Sequence, residues 1–157
     1  MALDLSADPD AVAIADSVAR FCASELGDTF TRRCAVPFSR DLWQRLAELG
    51  VLALASEAGA REYGHAVAAF EALGRGGFPG PLAATFMATK LLDQTRAASL
   101  ADGSVIVSLG RPPLMPWGAV ADLFIGIDED EASLMEVGRV APVETLRSEE
   151  RRVGKEC

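Results

Sequence analysis

Through the first hundred positions, apolar residues recur at three- and four-residue steps, the period of helices with one buried face. Ala11, Ile14, Ala15, Val18, Phe21, Cys22 and Leu26 make the first such face, and Gly27 supplies its stop. Pro37-Phe38-Ser39 then offers a breaker and an N-cap for a second helix carrying Leu42, Trp43, Leu46 and Leu49, which stops at Gly50. The apolar run of residues 51–55 is too short for its period to decide, and it reads as a buried connection. Residues 62–73 predict a third helix with Tyr63, Val67, Phe70 and Leu73 inward and Gly74 at its end. The run Gly76-Gly77-Phe78-Pro79-Gly80-Pro81 cannot continue a helix, because proline lacks a donor and glycine loses too much entropy. A fourth helix begins near Pro81 and passes through Leu82, Phe86, Met87 and Leu91; residues 95–100 predict a short fifth.

The pattern changes at Asp102-Gly103. Residues 105–109 and 123–127 are β-rich, with proline- and glycine-rich loops between them, and residues 128–131 form an acidic hairpin turn. Residues 133–137 and 139–143 predict further strands. The expected fold is α+β and mainly α: an N-terminal helical bundle over residues 1–100, then an incomplete β domain over 101–146, too short to close a sheet over a core.

Residues 147–157, RSEERRVGKEC, resemble one reading frame of a common short-read sequencing adapter. The alternative is a native, charged tail. The expectation is an artefactual tail on a chain cut in mid-gene after Leu146, to be set aside before fold reasoning. Without it the chain holds 11 basic and 20 acidic residues, a net charge of −9. That balance disfavours nucleic acid and anionic membrane surfaces as partners, though not an anionic metabolite held by a few local cations. Half the residues are apolar, a globular composition. No apolar run reaches the roughly 20 residues a membrane span needs. The acidic start MALDLSADPDAV lacks the features of a secretory signal. Cys22 and Cys34 have no metal-ligand spacing, so reduced, buried thiols in a cytoplasmic protein are expected.

Two stretches carry a family resemblance: LWQRLAELGVLALA at 42–55 and AAFEALGRGGFPGPLAATFMATKLL at 68–92. A Trp-bearing helix ends in Leu-Gly, a buried connection follows, and the next helix ends in Glu71-Ala72-Leu73-Gly74-Arg75 before Pro79-Gly80-Pro81-Leu82. In order and spacing these pieces resemble the N-terminal helical domain of acyl-CoA dehydrogenases. The resemblance implies FAD as cofactor, an acyl-CoA thioester as substrate, and electron-transfer flavoprotein or a similar acceptor. It implies a homo- or hetero-oligomer built through a C-terminal helical bundle, and a role in lipid or sterol breakdown. It also implies that Leu82, Thr85, Phe86 and Thr89 line the acyl pocket, although a stripe at this spacing equally fits simple core. Ser108, Leu109 and Gly110 would approach the flavin through backbone N–H donors, or else form an ordinary strand end.

The chain departs from the family pattern in three places. Residues 56–61 (SEAGAR) are shorter than the family's Pro-Glu-(Glu)-x-Gly-Gly-x-Gly loop; Ser108-Leu109-Gly110-Arg111-Pro112 stands where Thr-Glu-Pro would be; and no Gly-Ser-Asp follows. These departures resemble the degenerate, noncatalytic subunit of heteromeric dehydrogenases. The family's base, a carboxylate near the substrate's α carbon, comes from its C-terminal helical domain, so no catalytic residue is assigned. Glu57, Glu62 and Glu71 read as solvated helix carboxylates and His65 as a surface side chain. Arg75 reads either as a phosphate contact or as a cation favoured by the helix C-terminus. Trp117 reads as a loop anchor packed on the sheet, and Gly76-Gly77 lacks the spacing of a phosphate-binding loop.

Genomic sequence read across the Leu146 codon is expected to leave the RSEERRVGKEC frame. A genomic frame encoding those eleven residues and then a stop would show the tail to be native.

Overall fold

The computed structural model describes residues 8–27, 37–55, 60–129 and 131–141. Cys34, Glu57 and the loop at 56–59, Val143 and the tail at 147–157 lie outside the described residues, as does the side chain of Glu62.

Helix starts follow local capping chemistry. Helix α1 (Pro9–Leu26) opens with Asp8, whose carboxylate accepts from the Asp10 backbone N–H at 3.0 Å, and with proline in the first turn. Val18, Cys22 and Leu26, four residues apart, are its buried side chains, and Gly27 ends it at φ 71°. Helix α2 (Arg40–Glu48) is capped by Ser39 Oγ, which accepts from the Leu42 N–H at 3.1 Å; Leu42, Trp43, Leu46 and Ala47 are buried. A 3₁₀ turn (Leu52–Ala55) follows, touching four helices, with Val51 and Leu52 buried as expected of the connection.

Helix α3 (Ala60–Gly76) corrects the sequence reading twice. It runs past Gly74 to Gly76 and stops where Gly77 turns left-handed at φ 64°. There the Phe78 N–H donates to the Leu73 carbonyl at 3.0 Å and the Gly77 N–H to the Gly74 carbonyl, which closes the last turn. Its buried face is Ala66, Ala69, Ala72 and Leu73, whereas Tyr63 and Val67 are exposed. The cause is closeness to α1, the helix with which α3 packs most extensively. A Cβ on Gly76 would lie 2.6 Å from Cys22 Cβ, so this contact admits only small residues and pushes the large ones outward.

Helix α4 (Leu82–Leu91) buries Thr85, Ala88 and Thr89 and leaves Met87 and Leu91 exposed. Helix α5 (Gln94–Ala101) is capped by Asp93, which accepts from the Arg96 N–H at 3.0 Å and from the Arg96 guanidinium at 2.6 Å. The backbone bond from Arg96, and then its side chain, hold the Asp93 carboxyl below the usual carboxylate range.

Helix α5 ends at Ala101, and the first strand begins at Val107. Strands β1 (Val107–Gly110), β2 (Leu123–Asp128) and β3 (Glu131–Leu134) form one sheet in that order, making the chain α+β and mainly α. The acidic turn joins β2 to β3 as an antiparallel pair, Asp128 opposite Glu131. Strand β1 pairs with β2 in parallel, Val107 opposite Leu123, through a crossover with no helix in it. Of the last expected strand, Arg139, Val140 and Ala141 are described and are not in a strand.

The sheet and the helices share their cores. Ile106 is fully buried in the cluster built around Trp43, Leu46 and Leu73. Val107 and Ile125 join Ala88 and Leu100 in a second cluster. A bidentate ion pair closes the same junction. The Arg40 guanidinium donates to both oxygens of Asp122 at 2.9 and 2.7 Å and to the Val120 carbonyl at 2.8 Å. Asp122 also accepts from the Ile106 N–H at 3.0 Å. No helix among the described residues is long and apolar enough to cross a membrane.

Gly103 sits at φ 76°, and a Cβ there would lie 2.7 Å from Ala47 Cβ. Gly103→Ala is expected to cost about 1–3 kcal/mol in urea unfolding, from the left-handed backbone and the overpacked contact. Adding Ala47→Gly should make the double variant less destabilised than the sum of the single changes.

The Arg40 hydrogen bonds, chiefly, depress the Asp122 pKa against the opposing effect of burial. A depressed folded pKa contributes stability that is complete above the unfolded value, about 4, and is lost as pH falls through the folded one. Because both groups are partly exposed, Asp122→Asn should cost no more than about 1 kcal/mol at neutral pH. That difference should vanish in acid; urea unfolding curves at both pH values check it.

Candidate functional site

On α4, Thr85, Thr89, Leu82 and Phe86 follow one another around a stripe about 100° wide, with Thr85 at one margin and Phe86 at the other. Leu82 is half-buried against the helical core. Phe86 leans toward α3, its ring 5.5 Å from Phe70 and 5.9 Å from Tyr63. The Lys90 ammonium lies 5.4 Å from the Tyr63 ring centre, a cation–π contact at the rim. Thr89 is buried and donates to the Phe86 carbonyl at 2.8 Å. Thr85 is fully buried, and among the described residues its hydroxyl has no hydrogen-bond partner. A buried hydroxyl left unpaired is costly, by about 1–3 kcal/mol, and is the stripe's one unsatisfied polar group.

On β1, the fully buried Ser108 donates its hydroxyl to the Pro116 carbonyl at 2.5 Å, so that side chain is spent inside the fold. A Cβ on Gly110 would lie 2.7 Å from Pro116 Cδ and 2.8 Å from the Leu114 carbonyl oxygen, so the chain's own loop fills the space beside it. Leu109 packs on the cluster of Ala88, Leu100, Val107 and Ile125. The Ile106 carbonyl accepts from the Leu123 N–H, so Ser108 and Gly110 also point their backbone groups at β2. By strand alternation those of Val107 and Leu109 face the open edge. Of the three residues singled out for a flavin, Leu109 therefore points its backbone donor away from β2, at an edge that pairs with no other strand among the described residues, and the Ser108 hydroxyl is committed to Pro116.

The two groups of residues lie on packed elements, α4 against β1. They meet through Ala84 and Ala88, which the sequence reading did not single out and which carry no signal beyond small size. Two surface grooves lie elsewhere. One, of about 270 Å³, runs between α1 and the corner from Leu49 to Leu54 and is mostly apolar. The other, of about 350 Å³, lies between the end of α4 and strands β2 and β3, with Asp93 and Arg96 on its wall. Neither is lined by any of the seven singled-out residues.

Three further expectations resolve at side-chain level. His65 is not a surface group: its side chain is 16% exposed, with Nε2 3.6 Å from Asp8 Oδ2, too far for a hydrogen bond. The contact arises because α3 lies alongside the start of α1. Arg75 pairs with Glu71 one turn earlier, an exposed ion pair on α3. Trp117 packs on Phe38, 5.7 Å between ring centres, from a left-handed backbone at φ 63°. Cys22 is buried as well.

Residues 8–96, spanning α1 to the start of α5, match the family model described as acyl-CoA dehydrogenase, N-terminal domain. No curated protein and no solved structure matches the chain.

Thr85→Val keeps the side-chain shape and removes the unpaired hydroxyl. It is expected to raise stability by about 1 kcal/mol, read as a higher urea midpoint with an unchanged slope. A loss of stability would mean that the hydroxyl is satisfied in the native protein.

Proposed function

From the premise that the chain belongs to the acyl-CoA dehydrogenase family, we propose that it is part of a flavoprotein catalysing FAD-dependent α,β-dehydrogenation of an acyl-CoA thioester. The single observation that carries this reading is the family match across the helical region. Leu82, Thr85, Phe86 and Thr89 would face the acyl chain, with Thr85 supplying a polar group. The N–H of Leu109 would be the donor to the flavin; Ser108 and Gly110 would position it by pairing with β2. Bound FAD supplies the redox chemistry, accepting a hydride from the substrate's β carbon. No carboxylate among the described residues is assigned to proton abstraction, which in this reading falls to a C-terminal helical region. The acceptor would be electron-transfer flavoprotein or a similar protein, the assembly a homo- or hetero-oligomer, and the compartment the cytoplasm.

A second reading, a noncatalytic subunit of a heteromeric acyl-CoA dehydrogenase, is favoured by the β1 geometry. The Ser108 hydroxyl is consumed by Pro116, and Gly110 is closed off by its own loop.

The test is titration of the intact protein, complete with its C-terminal helical region, with FAD and, separately, with a saturated fatty acyl-CoA. Under the first reading both bind, and Phe86→Ala weakens acyl-CoA binding about tenfold while the helical circular dichroism is retained. Acyl-CoA binding without flavin binding selects the noncatalytic subunit. Binding of neither ligand by a folded chain overturns both readings.

A further inference from the structure

We draw no further inference here: the strongest candidate, the cluster of Asp8, Asp10 and His65 at the N-terminus of α1, whose donor atoms lie within 4.8 Å of one another, is an acidic helix start in which Asp8 already serves as the cap, and its one buried polar atom without a partner among the described residues, His65 Nε2, belongs to a side chain still 16% exposed, too open to point to a bound ion.

Discussion

Burial of Trp43 is the constraint on which the other packing decisions depend. Its indole is 1% exposed, and Phe38 and Phe78 pack on it at tilted angles, with ring centres 6.0 and 6.4 Å away. A side chain of this size contributes about 4–6 kcal/mol when removed from water, more than any polar contact in the structure can offset. Its bulk also dictates where backbone must be bare. A Cβ on Gly80 would sit 2.7 Å from the indole ring, and one on Gly103 would lie 3.6 Å from its edge. The loop leading into α4 and the turn leading into the sheet are both shaped around this one residue. Its Nε1, buried without a partner among the described residues, is a cost that the apolar contact outweighs.

The site follows from that packing. Because Gly80 lets the chain pass close to Trp43, α4 starts beside the helical core and presents Leu82 to it. Because Ile106 enters the same core and Arg40 holds Asp122, β1 and β2 are fixed against the helices rather than hanging from α5. The position of Ser108, Leu109 and Gly110 relative to α4 is thus set by contacts made elsewhere. The region also closes its polar groups locally: Ser108 to Pro116, Thr89 to Phe86 and Arg75 to Glu71. Among the described residues, the fully buried Thr85 hydroxyl is left without a partner.

Much of the helical architecture was legible because its signals act over two or three residues. Ser39 caps α2 through its own side chain, and the glycine and proline run of residues 76–81 stops one helix and releases the next. Family membership was legible for a related reason: the Leu-Gly and Leu-Gly-Arg helix ends are short and ordered along the chain. The inward face of α3 differs from the expected one because Tyr63 and Val67 are larger than Ala66 and Ala69, and apolar bulk suggests burial. What decides that face is how near α1 comes, and only small side chains permit the approach.

The sequence by itself determined which segments are helical, that β-rich segments follow them, and which family the chain belongs to, because caps, breakers and periodicity are written within a few neighbouring residues. Only the tertiary structure decided which residues share a surface. Parallel pairing of β1 with β2, the Arg40–Asp122 clamp across 82 positions, and the meeting of α4 with β1 through two alanines join distant parts of the chain. Such contacts depend on fitted volumes and backbone separation, quantities that no local pattern encodes.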